Sequence, residues 1–189
     1  MRFNIPNILT LLRIALIPVF VLFFYLPVEG ANIITTAIFA LAAVTDWFDG
    51  YLARKWKETS AFGAFLDPVA DKLMVAAALV LIVDNNPTAY AGFWLAIPAV
   101  VIIGREITIS ALREWMAEIG SSATVSVSMM GKIKTTAQMA ALVLLLFQAP
   151  IGPFPTATVG LLLLYLAAVL TLWSMLLYLR AAWPVLSKS

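Results

Sequence analysis

The chain has 189 residues, of which 63% are hydrophobic and 12% charged, about half the roughly 25% charge of an ordinary soluble domain. A mean hydropathy of +0.99 cannot be hidden in a soluble core of this size, because a small domain exposes much of its surface to water. Lipid has to be the solvent for most of the protein. Cys and His are both absent, which excludes disulfides, thiolate nucleophiles, imidazole acid–base chemistry and zinc sites of the usual kind. Twelve Lys and Arg against ten Asp and Glu leave a net charge of +2, and the informative quantity is where those charges fall.

Six segments reach the length of about 20 mostly apolar residues that a spanning helix needs: residues 5–26, 33–52, 64–83, 91–115, 129–147 and 157–179. The breaks carry turn chemistry, as in Pro27-Val28-Glu29-Gly30, Asp84-Asn85-Asn86-Pro87 and the Pro- and Gly-containing run 150–155. The first segment is too long for a signal-peptide apolar region, contains Arg13 and ends without a small-residue cleavage site, so a retained helix is expected. With the N-terminus in the cytoplasm, all twelve basic residues fall at cytoplasmic ends and loops, and the opposite turns carry only Glu29 and Asp84. The expected fold is all-α: a polytopic membrane protein, a six-transmembrane-helix bundle forming one domain over residues 1–189, with both termini cytoplasmic. The tryptophans are expected in the interface belt or against lipid.

Several charges lie inside these segments. Asp46 and Asp49 close the second, Asp67 and Asp71 open the third, and Arg105, Glu106 and Arg113 lie toward the end of the fourth. Ionisable groups at membrane depth are costly and normally face a bundle interior or a wet cavity. On a helix, Asp46, Asp49, Gly50 and Ala53 share one face, and so do Gly63, Asp67 and Asp71. Two antiparallel helices joined by the short basic loop would point those faces at each other and gather four carboxylates. Such a group repels itself unless cations neutralise it. Oxygen-only ligands suit hard ions such as Mg²⁺ or Mn²⁺, and two such ions form the clamp used in phosphoryl transfer. Gly50 and Ala53 leave room for a ligand near the backbone, and Arg54 can engage a phosphate with its forked guanidinium.

The spacing D-x2-D-G-x2-A-R-x8-G-x3-D-x3-D is matched in full by Asp46, Asp49, Gly50, Ala53, Arg54, Gly63, Asp67 and Asp71. It resembles the signature of the CDP-alcohol phosphatidyltransferases, integral membrane enzymes of phospholipid synthesis. The resemblance extends to the start Phe3-Asn4-Ile5-Pro6-Asn7 with Thr10 and Arg13, and to the stretches REITISALREWMAEIG (105–120) and GKIKTTAQM (131–139). It implies that Asp46, Asp49 and Asp67 bind the divalent metals, and that Asp71 acts as general base beside the metal site. Gly50, Ala53, Arg54 and Gly63 match positions that hold the CDP part of the lipid donor. The family fold is a six-helix bundle, usually a homodimer, with its site near the cytoplasmic surface, here that of the bacterial inner membrane.

A second cluster bears on the acceptor. Arg105, Arg113, Lys132 and Lys134 come from the ends of the fourth and fifth segments, on the same expected side as the acids. Each alone reads as positive-inside flanking; as a group they suit a phosphate on the acceptor, with Glu106 and Glu114 available to pair with them. Asn7, Thr10 and Arg13 lie on one face of the first segment as possible substrate contacts, with a capping or packing role open for Asn7 and Thr10. The expected reaction transfers a phosphatidyl group from CDP-diacylglycerol to sn-glycerol 3-phosphate and releases CMP. The expected partners are those two substrates, membrane lipids and a second copy of the chain, and no nucleic acid. The alternatives are another acceptor (inositol phosphate, serine or phosphatidylglycerol) or a small transporter. A transporter would spread its polar groups toward the midplane and both sides.

Overall fold

The computed structural model describes residues 5–56, 61–119 and 129–186, with the side chains of 5–6, 47, 49–56, 61–62, 64, 129–130 and 184–186 outside the described set. Six helices follow one another: α1 (Ile5–Tyr25), α2 (Ala31–Trp56), α3 (Ala61–Asp84), α4 (Phe93–Glu118), α5 (Met129–Phe147) and α6 (Thr156–Leu186). The all-helical expectation holds, and no strand occurs among the described residues. Every expected segment has its helix. The differences are in length: α6 runs to Leu186 rather than to residue 179, and α2 to Trp56 rather than to residue 52, so the backbone at Ala53 and Arg54 is helical.

Local chemistry accounts for the ends. Helix α1 stops at Tyr25, just before Leu26-Pro27, where proline disfavours a helical conformation in the residue ahead of it. Gly30 opens α2 from a turn at φ +79°, a conformation that suits a residue without Cβ. Beyond α5, Gln148 takes φ 62° and Gly152 φ 58°. Ile151 and Phe154 then exchange backbone hydrogen bonds of 3.2 and 3.0 Å across the turn into α6.

Three stretches among the described residues are long and apolar enough to cross a membrane: Asn7–Tyr25, Phe93–Glu118 and Thr156–Trp183. In α2 the apolar stretch is shorter, Ala31–Asp46. The signature acids sit in α2 and α3, and Lys132 and Lys134 in α5; charge inside these helices is what separates them from simple spans. Large apolar side chains point outward along the molecule, Phe65 (67% exposed) and Val100 (70%) among them. A water-soluble domain would bury such groups, and lipid accepts them.

The chain forms two compact units. The first takes Met1–Pro87 with Leu146–Ala149, and the second Thr88–Leu145 with Pro150–Ser189. In the first, α1 packs on both α2 and α3, and α2 on α3. Phe20 and Phe39 meet in its core with ring centroids 6.2 Å apart, alongside Ala42, Ala70, Ala78 and Ile82. Polar ties close its other end: Tyr25 Oη donates to Asp84 Oδ2 at 2.7 Å, and Asn32 Nδ2 to the Phe147 carbonyl at 2.6 Å.

In the second unit α4 packs against α6 around Ile109, Met116, Tyr178 and Ala182, with Trp115 half-buried against them. Helix α6 also approaches α5 through Gly160. A Cβ placed there would meet Leu145 Cγ at 2.9 Å and Leu144 Cβ at 3.2 Å. Small residues let membrane helices come close enough for dispersion to hold them, since lipid supplies no hydrophobic drive between helices. Replacing Gly160 by Ala gains about 1 kcal/mol of helix propensity but forces the Leu145 side chain to give way, at about 1–3 kcal/mol. We expect Gly160→Ala to lower the melting temperature in detergent, and an unchanged or raised value would show that the helices separate without cost.

Candidate active site

The signature acids stand on two helices of the first unit. The backbone of α2 carries Asp46, Asp49, Gly50, Ala53 and Arg54 in one uninterrupted run, and that of α3 carries Gly63, Asp67 and Asp71 at successive turns. Asp46 and Asp67 are partly exposed, Asp71 is exposed and Gly63 is buried. The side chains of Asp49, Gly50, Ala53 and Arg54, which the sequence assigns to metal and CDP, lie outside the described residues. Among the described residues no group of three acids converges as a metal cluster.

Helix α1 ties the two acid-bearing helices together. Thr10 Oγ1 donates a hydrogen bond to Asp67 Oδ1, and Arg13 Nη1 pairs with Asp46 Oδ1 at 2.5 Å. Thr10 and Arg13 are neighbours at i and i+3 on one helix face, so two acids 21 positions apart in sequence are brought to adjacent rungs of α1. Asn7, Thr10 and Arg13 are all buried, at 5%, 0% and 2% exposure. They form a polar stripe on the inward face of an otherwise apolar helix. The sequence allows these three as substrate contacts, or a capping or packing role for Asn7 and Thr10; in the fold Thr10 and Arg13 bond to the acids. A signal for this was present, because a lone Arg within an apolar helix of 21 residues calls for a counter-charge.

Each of these bonds uses one oxygen of its carboxylate, Oδ1 in both cases. A carboxylate has about four lone-pair sites, so Asp46 and Asp67 keep capacity for a hard cation. An all-oxygen donor set of this kind fits a divalent ion of the Mg²⁺ or Mn²⁺ type. The threonine hydroxyls of α2 are spent on their own helix: Thr35, Thr36 and Thr45 donate to backbone carbonyls four residues earlier, at 2.6–2.7 Å. That is the usual resting place for such side chains in an apolar helix.

The basic cluster divides. In the second unit Glu106 Oε1 accepts from Arg105 Nη1 at 2.9 Å and from Lys134 Nζ at 3.0 Å, so Arg105 and Lys134 come together through one carboxylate. Arg113 lies elsewhere on α4 and is exposed, its guanidinium carbon 5.2 Å from the centre of the Tyr178 ring. Lys132 is exposed while Lys134 is buried, as two residues 200° apart on a helix must be. Glu114 is exposed.

Comparison with known proteins places these features. Residues 3–173 match the family model described as CDP-alcohol phosphatidyltransferase. A protein of Haemophilus influenzae named CDP-diacylglycerol–glycerol-3-phosphate 3-phosphatidyltransferase is 59% identical over 182 residues, covering 96% of this chain and 95% of its own. Proteins of the same name from Pectobacterium atrosepticum and Salmonella typhimurium are 58% and 55% identical, each over 96% of both chains. A family match across nearly the whole chain, on a helical framework that carries the complete acidic signature, identifies this protein as a member of the CDP-alcohol phosphatidyltransferase family.

Proposed function

We propose that the chain transfers a phosphatidyl group from CDP-diacylglycerol to sn-glycerol 3-phosphate, giving phosphatidylglycerophosphate and CMP. The observation that carries the reading is the bonding of Asp46 on α2 and Asp67 on α3 to neighbouring residues of α1. It supports a single acidic site built from both halves of the signature. The names of the full-length relatives point to the same donor and acceptor.

Enzymes of this family generally use divalent metal ions. The finer reading is two ions, Mg²⁺ or Mn²⁺, held by Asp46, Asp49, Asp67 and Asp71. When bound there, such ions supply charge stabilisation at phosphoryl oxygens. Asp71 is proposed as the base, since it is exposed and one turn from Asp67. It accepts the proton of the acceptor's C1 hydroxyl as that oxygen attacks the phosphorus bearing the diacylglycerol. The bond from that phosphorus to the CMP oxygen breaks, and CMP departs. No covalent intermediate on the protein is needed, and the chain has no His or Cys to form one. Arg13 holds Asp46 in place and offsets part of the negative charge while the site is empty of substrate. Gly50, Ala53, Arg54 and Gly63 are assigned to the CDP moiety, and Arg105 and Lys134, which share Glu106, to the acceptor phosphate; Arg113, over Tyr178, and the exposed Lys132 are not gathered with them.

The donor has its acyl tails in lipid and its cytidine in water, while the acceptor is wholly soluble. A site at the boundary serves both. The proposed setting is therefore the bacterial inner membrane, with the site and both termini on the cytoplasmic side, the whole chain acting as one catalytic domain within a homodimer.

Purified protein given CDP-diacylglycerol, a divalent ion and each of glycerol 3-phosphate, inositol phosphate, serine and phosphatidylglycerol should release CMP with the first alone. Release with another acceptor would reassign the enzyme within its family. Asp71→Asn should lower turnover by about 10²–10⁴-fold, the usual contribution of a positioned base, and leave CDP-diacylglycerol binding largely intact. Turnover near wild type would remove Asp71 from the base role. Asp46→Asn should raise the Mg²⁺ concentration needed for half-maximal rate as well as lower the rate, and an unchanged titration would argue that Asp46 serves Arg13 alone.

A further inference from the structure

Arg105 lies near the middle of the Phe93–Glu118 span and Ser174 inside the Thr156–Trp183 span, on two helices that pack together within the second unit. A serine in an apolar helix ordinarily returns its hydroxyl to its own backbone and is spent there. Ser174 does donate to the Thr171 carbonyl, at 2.9 Å, but its oxygen also accepts from Arg105 Nη2 at 3.3 Å. The first bond uses the only proton of the hydroxyl, so Oγ meets α4 as an acceptor alone. Donating to a carbonyl also polarises that oxygen in favour of a positive donor. The result is a preset partner for a guanidinium, supplied by a helix that carries no acid.

An arginine side chain has many rotamers to lose on binding a ligand. The other contact of Arg105, Nη1 to Glu106 Oε1 at 2.9 Å, comes from the neighbouring residue of the same helix, and one bond leaves a planar group able to swing about it. Ser174 takes hold of the second terminal nitrogen from across the helix gap. With both terminal nitrogens held and the third joined to the side chain, the plane of the guanidinium is fixed. The group is anchored without being saturated: Nε has no hydrogen-bond partner among the described residues, and the side chain keeps 14% exposure. Fixing a flexible cation before its ligand arrives favours tighter binding, since less ordering is left to be done when the ligand binds.

We propose that Ser174 is a positioning residue for the acceptor phosphate: it accepts from Arg105 Nη2 across the α4–α6 interface and holds the guanidinium in the orientation that receives the phosphate. The inference rests on the reading above that Arg105 binds the acceptor. It gives Ser174 no contact with substrate or with the reacting atoms.

The test is a set of variants of the purified protein, assayed with a divalent ion and both substrates. Ser174→Ala removes the accepting oxygen and should raise the KM for glycerol 3-phosphate by about three- to fifteenfold, the range that one interhelical hydrogen bond in a membrane covers. The KM for CDP-diacylglycerol should stay within about twofold and kcat within about threefold, a split that general loosening of the fold would not produce. Ser174→Thr keeps the hydroxyl and should return the acceptor KM to within about twofold of wild type. Adding Ser174→Ala to Arg105→Gln should raise the acceptor KM no further, because the serine acts through the arginine. An unchanged acceptor KM in folded Ser174→Ala overturns the proposal. So does an equal rise in the KM of both substrates, an equal rise in Ser174→Thr, or an additive rise in the double variant. Loss of folded protein in Ser174→Ala overturns it in favour of a purely structural contact between α4 and α6. Arg105→Gln alone tests the underlying reading. If it leaves the acceptor KM unchanged, the acceptor assignment falls; if it raises that KM while Ser174→Ala does not, only the role of Ser174 falls.

Discussion

Taking a charged side chain from water to the middle of a spanning helix costs about 2.5–3.5 kcal/mol on insertion scales, whereas an interhelical hydrogen bond in such a bundle contributes about 0.6 kcal/mol on average and no more than about 1.7. One neutral hydrogen bond therefore cannot compensate one charge. A charge at that depth needs an opposite charge, and the positions of those partners decide which helices must meet. Arg13 on α1 meets Asp46 on α2, and Lys134 on α5 meets Glu106 on α4. Both pairs join different helices, and Thr10 on Asp67 adds the third helix to the first unit. The apolar surface, by contrast, is free to face lipid almost anywhere.

The two units meet this constraint in different ways. In the first, an arginine and a threonine on α1 each hold one signature acid. In the second, one carboxylate on α4 serves a cation on its own helix and another on α5. In a chain with only 22 charged residues, such partners within the protein hold charge that lipid alone would not accept.

Packing follows a separate logic. The aromatic pair Phe20–Phe39, the alanines of α3 and the close approach at Gly160 fill space without polar cost. Threonine and serine hydroxyls in α2, α4 and α5 return to their own backbones, as Thr108 does to Gly104 and Thr135 to Gly131, so they neither glue helices nor offer nucleophiles. Other polar side chains reach across to another helix: Thr10 and Arg13 to the acids and Arg105 to Ser174 at the proposed sites, and Tyr25 to Asp84 at the opposite end of the first unit.

Much of the molecule was legible from residue order. Runs of mostly apolar residues between turn signals locate all six helices, although only three described stretches have the apolar length of a simple span, and helical spacing alone puts Asp46 on one face with Asp49, and Asp67 with Asp71. The same spacing separates Lys132 from Lys134, which the structure bears out as one exposed and one buried lysine. What spacing cannot supply is the partner across a gap between helices. Arg13 could have faced substrate, lipid headgroups or any of four acids, and only the packing of α1 between α2 and α3 selects Asp46. Which of Arg105, Arg113, Lys132 and Lys134 come together is likewise not given by spacing. The fold sends Arg113 over Tyr178 and gathers Arg105 and Lys134 on Glu106, because the rotation of each helix about its axis is set by long-range packing and not by local order. The sequence by itself determined the helices, their faces and the kinds of chemistry available; the tertiary structure alone decided which charge neutralises which, since at membrane depth that choice is made by distances of about 3 Å between residues far apart in the chain.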